Sequence, residues 1–177
     1  MSSNPARTKH KTDRSAAVTL QVPPGVADDI EGVLRKFAEE AEVDTSLVVD
    51  HSGFLIAGIS AIPDVDVDTI GDRVAEASGS AEGLTQALGE EGRFESLHLG
   101  EDRILYLREI GERFILVGVS DANIPAGILR DQASLVEEEL VRHLTRVKAI
   151  PASLTSRKNE PKSPPEEPEP EPVSLRP

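Results

Sequence analysis

Leu47-Val-Val-Asp-His-Ser-Gly-Phe-Leu-Ile-Ala-Gly58 is the stretch on which the reading of the whole chain turns. Asp50, His51 and Ser52, the residue types of a hydrolase triad, stand side by side between two apolar runs. Neighbouring side chains on an extended chain point to opposite sides, so these three cannot relay a proton among themselves. Triads are assembled from residues distant in sequence. A nucleophile elbow would read Gly-x-Ser-x-Gly, and no such string occurs. Ser46 to Val49 and Phe54 to Ile59 read instead as two short strands. Asp50-His51-Ser52-Gly53 joins them, and Gly53 supplies the positive φ that such a link needs. The stretch predicts a hairpin.

Working outward, Pro23-Pro24 is followed by apolar residues at Val26, Ile30, Val33, Leu34, Phe37, Ala38 and Ala41. That spacing predicts a helix, with Asp28, Asp29 and Glu31 in its first turn, where they suit the helix dipole. After the hairpin, Pro63 ends the second strand and a further helix starts near Asp66 or Asp68, either of which can cap it. Ile70, Val74, Ala77, Ala81, Leu84 and Leu88 form its apolar seam. Gly71, Ala75, Ser78, Gly79 and Gly83 lie a quarter-turn or more away and are all small. Glycine in a helix costs up to about 1 kcal/mol relative to alanine, so this face is expected to meet another backbone closely. Phe94 to Leu99, Ile104 to Glu109 and Phe114 to Val119 read as an antiparallel meander with glycine-containing turns. The last strand, apolar on both faces, is placed centrally with helices on each side. A final helix after Asp121-Ala122-Asn123 carries Leu129, Ala133, Val136, Leu140, Leu144 and Val147, with Pro125 in its first turn. The order is α-β-β-α-β-β-β-α. The fold class is α+β, a five-stranded antiparallel sheet with helices on both faces.

Composition sets outer limits. The 177 residues divide into a polar, basic arm (1–23), a folded unit (24–149) and a Pro/Glu-rich tail (150–177). Arm and tail read as disordered, and the tail as extended and polyproline-like, either a spacer or a docking peptide for a further protein partner. Net charge is −13, and residues 20–150 alone carry 26 acidic against 11 basic side chains. Phosphate backbones repel such a domain, which excludes nucleic acid as a natural partner. No segment approaches the roughly 20 apolar residues of a membrane span and no signal peptide is recognisable, so a cytoplasmic protein is expected. Cysteine is absent.

Motifs for chemistry fail one by one. Asp64-Val-Asp-Val-Asp68 resembles the start of a calcium loop, but Thr69 stands where the turn glycine belongs and Ala75 where the closing glutamate belongs. His10, His51, His98 and His143 share no metal-ligand spacing. No Walker string occurs, and no lysine lies between Lys36 and Lys148. With five aromatic residues in all, nothing suggests a stacked cofactor. Neither metal nor cofactor is expected, and nothing argues for catalysis by the chain itself.

Leu47 to Ala57, Ile104-Leu-Tyr-Leu-Arg-Glu-Ile-Gly-Glu-Arg-Phe-Ile-Leu-Val-Gly-Val119 and Ala122-Asn-Ile-Pro-Ala-Gly-Ile-Leu-Arg130 resemble the Roadblock (dynein light chain type) domain family. The likeness runs over about residues 26–147 and is greatest to the bacterial MglB-type regulators of a Ras-like GTPase. It implies a homodimer in which second helices pack antiparallel and third strands pair across a two-fold axis. Ala75, Ser78, Gly79, Gly83, Phe94, Ser96 and Leu97 would then line the dimer interface. It also implies binding of a small Ras-like GTPase on the paired second helices, through Asp72, Arg73, Glu76 and Ser80. Such a regulator is no enzyme; it speeds GTP hydrolysis by ordering the partner's own catalytic groups. The alternative is a non-catalytic scaffold or adaptor in a polarity, motility or trafficking complex. A third reading, a small-molecule sensor, is permitted by the sandwich but supported by no polar cluster.

Overall fold

Pro23 to Val26 form a tight turn closed by a hydrogen bond from the Val26 N–H to the Pro23 carbonyl (3.1 Å), with Gly25 in the left-handed region at φ +78°, and it opens the first long helix, α1 (Val26–Ala41). The computed structural model describes residues 18–63, 65–90 and 92–151. Along α1, Val26, Ile30, Val33, Leu34, Phe37 and Ala41 are buried, the stripe that the 3.6-residue period predicts. Glu42, also left-handed, ends the helix and delivers the chain directly into a strand (Val43–Asp50).

The strands of the chain are β1 (Val18–Gln21), β2 (Val43–Asp50), β3 (Leu55–Ser60), β4 (Glu95–Leu99), β5 (Arg103–Ile110), β6 (Phe114–Asp121) and β7 (Lys148–Pro151). Two more helices follow α1: α2 (Val67–Ala87) and α3 (Ala126–Leu144). β2 to β6 make one antiparallel sheet in the order β3-β2-β6-β5-β4. The strand rich in apolar residues on both faces, β6, is central, as its sequence requires. β2 starts directly after α1, and both β2 and β6 are longer than the apolar runs that announced them.

Alternation along these strands divides the core in two. Leu47, Val49, Leu107, Ile115 and Val117 point to one face and pack with Val74 of α2. Val48, Tyr106 and Leu116 point to the other, where α1 and α3 lie against each other and the sheet. There, Gly118 sits beneath Phe37. A Cβ at this glycine would come within 3.2 Å of the ring. Ser46 and Ser120 flank it, fully buried with unpaired hydroxyls, and keep the same floor low for the ring. The architecture is α+β with helices on both faces of five strands, in the order expected.

Two elements lie outside that expected order. β1 and β7 pair as a separate two-stranded sheet, and the contacts divide the chain into one unit of Gln21–Lys148 and another of the two chain ends. The rest of the expected basic arm and Pro/Glu tail, residues 1–17 and 152–177, lies outside the described residues. Among the described residues no helix is long and apolar enough to cross a membrane.

Candidate functional site

The turn between β2 and β3 is built on Asp50. Its carboxylate accepts hydrogen bonds from the Ser52 N–H (3.0 Å), the Phe54 N–H (2.8 Å) and the Ser52 hydroxyl (2.7 Å). The serine therefore donates to the aspartate, while the His51 ring turns away to Glu109, 3.6 Å distant. No proton path from Ser52 through His51 exists, and the stretch is a hairpin. Gly53 adopts φ +88°. A Cβ on it would lie 2.9 Å from the Gly71 carbonyl, and one on Gly71 would lie 2.3 Å from the Gly53 oxygen. Two glycines from separate elements thus let the hairpin tip seat on the first turns of α2. This is a close backbone approach at one of the small residues of α2, Gly71, made within the chain.

α2 starts at Asp66, whose carboxylate accepts from the Thr69 N–H (3.0 Å) and hydroxyl (2.6 Å). Those bonds hold its pKa below the usual carboxylate value. Asp64, the first residue of the calcium-like string, lies outside the described residues. The helix then shows three sides. Gly71, Val74 and Ser78 face the sheet and are buried. Asp72, Arg73, Glu76, Gly79, Ser80 and Gly83 face outward and are exposed. Between them runs the apolar seam, which leaves the sheet after Ala81: Leu84 and Leu88 are 69% and 78% exposed.

The four residues expected to meet a GTPase share the outward side. Arg73 donates to Glu76 at 2.8 Å, and the Ser80 hydroxyl donates to the Glu76 backbone carbonyl at 2.8 Å. Of the residues expected at a dimer contact, Gly79 and Gly83 are exposed, with open space where a Cβ would go. Ala75 is half-buried. Ser78 departs from that expectation: it is 4% exposed, turned onto its own sheet. Phe94 packs beside the α2-side core. Ser96, on β4, bonds the His98 ring at 3.0 Å. Leu97 and Leu99 point to the opposite face of the same strand and are exposed. β4 is an edge strand, so one side of its backbone has no strand partner among the described residues.

A charged cluster braces that edge, and no local pattern in the sequence signals it. Tyr106 donates to Glu95 (2.7 Å), as does Arg130 from α3 (3.0 Å). Arg108 donates to Glu137 (2.7 Å), which Arg93 also reaches. Burial pushes Tyr106 up to about 12, so it stays a neutral donor. Burial also works against the charges of Glu95 and Glu137, but hydrogen bonds from Tyr106 and Arg130, and from Arg93 and Arg108, outweigh it and hold both carboxyls below the usual range. The remaining described histidine, His143, stands 3.5 Å from Asp29 of α1.

Residues 29–120 match the family model described as Roadblock/LC7 domain. Among solved structures, the gliding protein MglB of Thermus thermophilus is similar at 28% identity over 71% of this chain and 95% of that one, with a TM-score of 0.64. An MglB with a tetrameric arrangement is similar at 29% identity over 71% of this chain and 94% of that one, TM-score 0.65. Myxococcus xanthus MglB shares the fold at 23% identity over 66% of this chain and 94% of that one, TM-score 0.62. No protein of curated function matches.

Proposed function

The chain belongs to the Roadblock/LC7 domain family, and from that premise we propose that it is a homodimeric regulator that binds a small Ras-like GTPase and stimulates its GTP hydrolysis. One observation carries the reading: α2 and β4 both present surfaces that a lone chain leaves unfinished. Gly79 and Gly83 leave open space on the outward side of α2, while Leu84, Leu88 and Leu99 stand in solvent and the β4 edge is unpaired. A second copy, with its α2 against this one and its β4 paired to this β4, covers these groups together. Ala75, Gly79, Gly83, Phe94, Ser96 and Leu97 line that contact. Ser78 supports it from beneath.

The paired helices then expose Asp72, Arg73, Glu76 and Ser80 to the GTPase. Arg73 is the one cation on α2 and its guanidinium is tied to Glu76, which suits a regulator that orders the partner's own groups over one that inserts an arginine finger. The same tie is what a non-catalytic scaffold would show. GTP turnover by the Ras-like GTPase of the same genome, with and without saturating chain, separates the two. Acceleration supports the regulator, binding without acceleration supports the scaffold, and no binding sinks the regulator.

A further inference from the structure

Phe54 follows the turn glycine and is 51% exposed, with no part in either core. It lines an open groove together with Ser52, Gly53, Leu55, Asp68 and Asp72. The groove is held firmly. Asp50 fixes the Phe54 N–H at 2.8 Å, and the Gly53–Gly71 contact clamps the hairpin onto α2 with no room for a methyl group. An aromatic face on a rigid support costs little ordering entropy when a partner covers it, which is the setting in which interface anchors are found.

The charge around it is one-signed. Asp68 and Asp72 stand four residues apart on α2, so their carboxylates share the side of the helix that borders Phe54. Among the described residues neither carboxylate has a salt-bridge partner, and Arg73, their neighbour, is committed to Glu76. A π-face next to two free carboxylates is matched by a cation on an apolar stem. Arginine fits best, because its planar guanidinium can lie on the ring while its N–H fork meets the carboxylates. Asp72 also belongs to the outward side of α2, so the groove continues the surface assigned above to the GTPase. We propose that this groove receives an arginine side chain of the bound GTPase, with Phe54 as the stacking platform and Asp68 and Asp72 as its counter-charges. The assignment rests on the GTPase reading of that surface and names the chemistry that the partner must bring.

The test uses the full chain and the Ras-like GTPase of the same genome, loaded with a non-hydrolysable GTP analogue, with the dissociation constant as readout. Phe54→Ala is expected to weaken binding about tenfold or more. Asp68→Asn with Asp72→Asn is expected to weaken it severalfold at low salt, with the difference shrinking as salt is added. Phe54→Leu keeps apolar area but not the π-face, and is expected to stay close to Phe54→Ala. Unfolding midpoints like wild type confirm that the exposed substitutions leave the fold intact. If wild type binds and Phe54→Ala binds as well, the groove assignment is wrong while the GTPase reading stands. Wild-type affinity in Phe54→Leu would overturn the choice of a cation. No binding by wild type would overturn the GTPase reading and this inference with it.

Discussion

Gly53 and Gly71 meet so closely that neither can carry a side chain, and this contact ties the hairpin to the helix that bears the proposed site. Two effects oppose each other at Gly71. Alanine would gain up to about 1 kcal/mol of helix propensity, but its methyl group would lie 2.3 Å from the Gly53 oxygen, and relieving such overlap typically costs about 1–3 kcal/mol. Backbone on both sides leaves little freedom to shift, so the clash wins. Gly71→Ala is therefore expected to lower stability in urea unfolding, whereas Gly32→Ala, within α1, with open space where its Cβ would go and outside the proposed dimer contact, is expected to hold or gain up to about 1 kcal/mol. Equal behaviour of the two would mean that the hairpin is not clamped to α2. Asp50 shows the same dependence on neighbours. Its letters suggest chemistry beside His51 and Ser52, yet its carboxylate is consumed by the turn.

At the scale of elements, strong periodicity was readable and extent was not. The stripes of α1 and α3, and the central place of β6, follow from the spacing of apolar residues in each segment. Leu84 and Leu88 keep that spacing along α2 yet stand in solvent, since spacing fixes which side of a helix a residue takes and not what lies opposite it. Ser78, which the resemblance puts at the helix pair, is buried on the same side as Gly71 and Val74, because seven and four residues along a helix return to nearly the same direction. The pairing of β1 with β7 joins residues at opposite ends of the chain, beyond any local pattern. So does the cluster of Arg93, Glu95, Tyr106, Arg108, Arg130 and Glu137, which joins the edge strand to α3. Its two carboxyls titrate below their ordinary value of 4.5. A lowered folded-state pKa gives stability that is present above the unfolded value and is lost as pH falls through the folded one. Urea midpoints should thus hold at neutral pH and decline below about 4.5, with a shallower decline in Glu95→Gln. An identical decline in that variant would show that Glu95 does not contribute to the acid window.

For the whole molecule, the unfinished surfaces of α2 and β4 are best understood as halves of one interface. Sedimentation of the wild type is expected to give a dimer. Gly83→Arg, which fills the open space on α2 with a charged side chain, is expected to give a monomer with near-native unfolding. A dimer that survives this change would place the contact elsewhere. The excess of acidic side chains in the folded unit favours a partner with a basic patch, through faster encounter more than through final affinity. The central claim is that the outward side of α2 meets the GTPase and quickens its chemistry. Single-turnover GTP hydrolysis by that GTPase, at saturating wild-type chain and at the same concentration of Glu76→Lys, tests it most directly. The account predicts acceleration by the wild type and a loss of about tenfold or more of it in the variant. Hydrolysis that is no faster with the wild type than without it, or equally fast with both proteins, would contradict it.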